Sequence, residues 1–121
     1  MKRTLLQMYV KNSAEAVGLY QEAFEACVGV DYRHPNGACA HTELDVDGQI
    51  LALCEAESEI TVGNSMQFCL HFQEDERDRV EKAYEVLKNG AQIIVPIGEC
   101  PYSNCMFALI DRFGIYWCIF N

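Results

Sequence analysis

Apolar and polar positions along this chain follow two different periods, and the periods alternate in the same order twice. Residues 4–10 read as a strand, with Leu6, Met8 and Val10 on one face and Leu5, Gln7 and Tyr9 on the other. Helical spacing then takes over at Ala16, Val17, Leu19, Tyr20, Ala23 and Phe24, which predicts a helix to about residue 26. Asn12 or Ser13 is placed to cap it, because a side-chain oxygen satisfies free amides in a first turn. Three strands follow over residues 28–34, 38–46 and 49–55, separated by Pro35-Asn36-Gly37 and by a tight turn at Asp47-Gly48. Residues 57–65 are polar and read as a linker. Beyond it residues 66–72 are strand-like again, and Glu74, Asp75 and Glu76 put acid where a helix macrodipole favours it. Val80, Ala83, Tyr84 and Leu87 form a helical stripe that stops at Asn89-Gly90. Strands at residues 92–97, 104–110 and 115–120 complete the second round. The last two flank Asp111-Arg112-Phe113-Gly114, a hairpin signal, and the closing strand is apolar enough to require burial on at least one face.

The order is therefore βαβββ twice, an α+β architecture in one domain over residues 1–121, with modules at about 1–56 and 66–121. A sheet with a helix on one face leaves the other face free. Pairing the two free faces predicts an open, U-shaped barrel-like sheet with the helices outside and a concave trough that can hold a ligand. No apolar run approaches the roughly 18 residues of a membrane span, and the start of the chain carries no signal-peptide pattern. A cytoplasmic protein without a membrane partner is expected.

Charge narrows the partners further. Eighteen acidic residues against nine basic give a formal charge of −9, which repels phosphate backbones and argues against nucleic acid. The seven cysteines are odd in number, lack a CxxC pair and sit mostly inside apolar runs, so they read as reduced thiols used as small hydrophobes. Cys100 and Cys105 are the one pair spaced to suggest a metal or redox couple, although two ligands do not make a zinc site.

Strand alternation nominates the chemistry of the trough. With Leu6, Met8 and Val10 under the first helix, Gln7 and Tyr9 turn toward the cavity. The same rule turns Gln67, Cys69 and His71 inward, while Phe68, Leu70 and Phe72 take the helix side. His41 and Glu43 share a face with Cys39. An imidazole beside a carboxylate can move a proton at neutral pH, which makes His41, Glu43 and His71 the candidate catalytic residues. Hydrogen bonding of the same groups in a wet groove is the plainer alternative. Trp117 is counted with Gln7, Tyr9, His41, Glu43, Gln67, Cys69 and His71 among the ligand-lining positions, though it and its aromatic neighbours Tyr102 and Phe107 also suit wall or core.

Four short pieces carry a family resemblance by their order and spacing: Tyr20-Gln21-Glu22-Ala23-Phe24, His41-Thr42-Glu43-Leu44, Leu87-Lys88-Asn89-Gly90, and Asp111 to Gly114 followed by Trp117. Together they resemble the vicinal-oxygen-chelate superfamily of glyoxalases, bleomycin-resistance proteins and dioxygenases, and more narrowly its PhnB-like branch. The resemblance implies a small-molecule ligand and a homodimer that pairs modules side by side. It also implies, for metal-using members, His, Gln or Glu ligands on the first and last strand of each half. Those positions fall here on Leu5, on Glu55 or Cys54, on Gln67 and on Cys118. Leu has no donor atom, so neither a metal nor another cofactor is expected. Two readings of function follow from the family. One is a protein that binds a small molecule in the trough without a metal. The other is an enzyme, either metal-dependent or using His and Glu as acid and base, that acts as a lyase, isomerase or dioxygenase on a small oxygenated substrate. The methyltransferase label attached to some PhnB-like proteins lacks support, because no Gly-rich cofactor loop follows the first strand.

Overall fold

The predicted elements form two four-stranded sheets, each with one helix, in a computed structural model that describes residues 1–121. The first unit, Met1–Thr61, contains β1 (Leu6–Val10), α1 (Ser13–Phe24), β2 (Cys27–Arg33), β3 (Cys39–Val46) and β4 (Gln49–Glu55). Its strand order is β1-β4-β3-β2, with β1 parallel to β4 and the other pairs antiparallel. The second unit, Val62–Asn121, repeats the plan with β5 (Phe68–His71), α2 (Arg77–Leu87), β6 (Gln92–Cys100), β7 (Ser103–Ile110) and β8 (Tyr116–Phe120). Here the order is β5-β8-β7-β6, again with the first strand parallel to the last. The α+β class and the βαβββ repeat agree with the sequence pattern. No helix is long and apolar enough to cross a membrane.

Each helix covers one face of its own sheet. In the first unit Met8, Val10, Leu44, Leu51 and Leu53 are buried with Ala16, Val17, Tyr20, Ala23 and Phe24 of α1. In the second, Leu70, Phe107, Leu109, Trp117 and Ile119 are buried with Val80, Ala83 and Leu87 of α2. Each of the larger side chains contributes roughly 1.5–3 kcal/mol by leaving water.

The start of α1 departs from the expected cap. Asn12 sits at the N-cap with φ 56° and makes no side-chain capping bond. The carboxylate of Glu55, at the end of β4, takes its place. It accepts the Ser13 N–H at 2.9 Å, the Asn12 N–H at 3.2 Å and the Ser13 hydroxyl at 2.8 Å. These bonds, the Ser13 amide foremost, hold its carboxyl below the usual range. Ser13 Oγ also accepts the Cys39 N–H at 2.8 Å, tying the entry of β3 to the same helix end.

The hairpin between β7 and β8 is organised by Asp111, only 4% exposed. Its carboxylate accepts the N–H groups of Phe113 at 2.9 Å and Ile115 at 3.1 Å, and the indole N–H of Trp117 at 2.8 Å. Gly114 adopts φ 89°, a region open to glycine at little cost, and its N–H donates to the Asp111 carbonyl at 2.9 Å.

Candidate functional site

In the first sheet Gln7 pairs with Ala52, and Ala52 pairs with Glu43, so Gln7 and Glu43 share a row on the face away from α1. His41 lies two positions along β3 on that face, opposite Tyr32 of β2. Tyr9 pairs with Cys54 and is 61% exposed. The polar centre of this face is Glu43, 5% exposed. Arg3 grips it with a two-pronged fork, Nη1 to Oε2 at 2.9 Å and Nη2 to Oε1 at 2.7 Å. His41 Nε2 lies 2.9 Å from Oε1. Arg3 first, and His41 after it, hold the Glu43 carboxyl down to about 2. An ionised carboxylate only accepts, so His41 Nε2 carries the proton of that bond. Beside this cluster Gln7 Nε2 donates to Cys54 Sγ at 3.0 Å.

Arg3 was not among the residues nominated from the sequence. It precedes β1, outside any periodic pattern, and lies 40 positions from its partner. Cys39 was expected on the His41 face; it is fully buried instead, and a register shift between Tyr32 and Arg33 interrupts the alternation there.

The second sheet places Cys69 and His71 of β5 opposite Cys118 and Phe120 of β8, on the face away from α2. His71 stacks on Phe120 with ring centres 4.2 Å apart, and Tyr102 meets the same ring edge-on at 5.4 Å. Gln67 stands exposed just ahead of β5. Trp117 requires a correction. It pairs with Phe68, touches that ring edge-on at 5.5 Å and is 0% exposed among the α2-side residues, so it is core and lines no ligand face. Thus His41 and Glu43 meet in the first unit, joined by Arg3, while His71 has an aromatic setting in the second.

A family model for the Glyoxalase/Bleomycin resistance protein/Dioxygenase superfamily matches residues 4–119. The chain belongs to this superfamily. Solved structures share the fold at low identity. A PhnB protein from Bacillus cereus is 19% identical with a TM-score of 0.79, over 99% of this chain and 98% of that one. Protein PA1353 from Pseudomonas aeruginosa is 16% identical with a TM-score of 0.82, over 99% and 97%. The fosfomycin resistance protein FosX from Listeria monocytogenes, in complex with Mn(II) and 1S,2S-dihydroxypropylphosphonic acid, is 12% identical with a TM-score of 0.69, over 99% and 90%. None of the curated proteins matches the chain.

The positions that correspond to metal ligands in this glyoxalase-superfamily chain do not form a donor set for a hard divalent ion. Leu5 has no donor. Glu55 is turned to the start of α1 and holds three donors there. Cys54 receives the Gln7 amide, and Cys118 is engaged with Cys69. No three His, Cys, Asp or Glu side chains gather closely enough to hold an ion. Cys100 and Cys105 do not pair either: Cys105 is buried toward Arg77 and Glu81 of α2, whereas Cys100 lies near Cys118 and Tyr102 on the opposite face. Protein purified without chelator is therefore expected to carry well under one equivalent of zinc, nickel, manganese or iron by elemental analysis. Near one equivalent per chain would refute this.

Proposed function

We propose that this glyoxalase-superfamily protein binds a small oxygenated molecule on the helix-free face of its first sheet, without a resident divalent metal. The supporting observation is the Arg3, Glu43 and His41 cluster, an ion network set on a face that α1 does not cover. Glu43, held at about 2, stays charged at neutral pH and serves as an anchor. His41, fixed in one tautomer, offers Nδ1 to a hydroxyl or amide donor on the ligand. Exposed Tyr9 and Tyr32 supply aromatic surface on either side. The same geometry favours a second reading, in which His41 Nδ1 removes a proton from the bound molecule and Glu43 stabilises the imidazolium that forms.

The test is a screen of small hydroxy and carbonyl compounds, followed through the histidine ring signals by NMR. Binders should move the His41 signals and lose affinity at least tenfold in His41→Ala. Binders that leave His41 unmoved and tolerate the substitution would overturn the reading. Conversion of a bound compound that disappears in His41→Gln would favour the enzyme.

This reading also makes the protein a cytoplasmic homodimer, with its cysteines free in a reducing compartment. The edge strands β2 and β6 expose Val28, Val30 and Tyr32 on one sheet and Ile93, Ile94 and Val95 on the other. Free apolar edges of this kind are surfaces that a second chain can cover. Light scattering over a dilution series should give about twice the 13.7 kDa of one chain, and a mass that stays near 13.7 kDa at high concentration rules the dimer out.

A further inference from the structure

The second sheet carries a cluster that the proposed ligand site does not use. Cys69 of β5 and Cys118 of β8 are register partners on adjacent parallel strands, and no other pair of strand partners in the chain is Cys with Cys. Neighbouring strands run about 4.8 Å apart, inside the Cα separation of roughly 4.4–6.8 Å that a disulfide spans. Cys69 is also among the close neighbours that raise the Cys118 thiol. Cys69 is exposed and Cys118 is buried, so a solute meets Cys69 first. Burial, with Cys69 and Cys100 beside it, pushes the Cys118 thiol up to about 11 and keeps it protonated in place. Cys100 approaches the same sulfur and lies beside Tyr102.

From this juxtaposition we propose that Cys69 and Cys118 form an oxidisable dithiol, which a small hydroperoxide converts to an intramolecular disulfide. The Cys69 sulfur attacks the terminal peroxide oxygen, the O–O bond breaks, and an alcohol leaves a sulfenic acid on Cys69. The Cys118 sulfur then attacks the Cys69 sulfur. The S–S bond forms, the S–O bond breaks, and the departing hydroxide leaves as water with the Cys118 proton. Two thiols are oxidised by two electrons in all, and one peroxide is reduced to alcohol and water. A bond between directly adjacent strands, open to solvent at Cys69, belongs to the labile class that a dithiol reductant readily opens.

The experiment counts thiols in the full chain under denaturing, non-reducing conditions. Reduced protein should show all seven. Treatment with tert-butyl hydroperoxide should leave about five, with one cross-link joining Cys69 to Cys118 within a single chain, mapped after cleavage at Glu and Arg has separated Cys69 from Cys54 and Cys118 from Cys100 and Cys105. Dithiothreitol should restore the full count. Cys69→Ser should start one thiol lower and lose none. Cys118→Ser should stop at a Cys69 sulfenic acid that dimedone traps. A wild-type count that does not fall, a cross-link between other cysteines or between chains, or a loss that dithiothreitol does not reverse would each overturn the proposal. Because Cys69 is exposed, the Cys69→Ser protein keeps the test decisive even if Cys118→Ser fails to fold.

Discussion

Replacing Asp111 by alanine is expected to destabilise the protein by about 3–5 kcal/mol. The carboxylate is nearly buried and accepts two backbone amides and the Trp117 indole, so its removal leaves three donors without this acceptor in the core of the hairpin. Each buried donor left unsatisfied costs roughly 1–3 kcal/mol, and partial entry of water brings the sum below the maximum. For a chain of this length each kcal/mol moves Tm by about 3–4 °C, so the fall in Tm is roughly 10–20 °C. Trp117 is the only tryptophan, and its fluorescence reports the unfolding from within the affected site. Asp111→Asn, which keeps one acceptor oxygen but offers an amide N–H in place of the second, should fall between. An alanine variant within about 1 kcal/mol of wild type would show that this carboxylate does not hold the hairpin.

The second large effect is on acid stability. Glu43 has its carboxyl lowered from 4.5 to about 2 by Arg3 and His41. For a group whose folded value is depressed, the stabilisation is fully present above the unfolded value and is lost as pH falls through the folded one. The window is therefore pH 4.5 down to about 2. One proton sets an upper limit of about 1.4 kcal/mol per pH unit across that window. Arg3 is half-exposed, so solvent screens the pair and the slope should fall well short of the limit. Denaturant melts at a series of pH values should show wild type losing stability through this range, while Glu43→Gln, which has no proton to gain, shows a flatter curve. Parallel curves for the two proteins would mean that the cluster is not formed in solution. Arg3→Ala should shift the same titration of Glu43 upward, because the first of its two partners is gone.

Features that a short window encodes are legible along this chain without its structure. The 3.6-residue period of Val80, Ala83, Tyr84 and Leu87, the alternation of Leu6, Met8 and Val10, and the turns at Asp47-Gly48 and Asp111 to Gly114 were legible because each depends on neighbours a few positions away. The same alternation correctly turned Gln7 and Tyr9 away from α1, and Cys69 and His71 away from α2.

Which side chains meet follows from long-range packing that no local window contains. Glu55 caps a helix that begins 42 positions earlier, and so displaced the local rule that nominated Asn12 or Ser13. Arg3 reaches Glu43 from outside any element. Trp117 and Cys118 are adjacent and so take opposite faces, but packing against α2 selected the tryptophan for the core and left the cysteine beside Cys69. The physical reason is common to all three. A side chain's direction follows from its own strand or helix, whereas its partner is set by sheet order and register, and these emerge when segments far apart in the chain bury their apolar faces together.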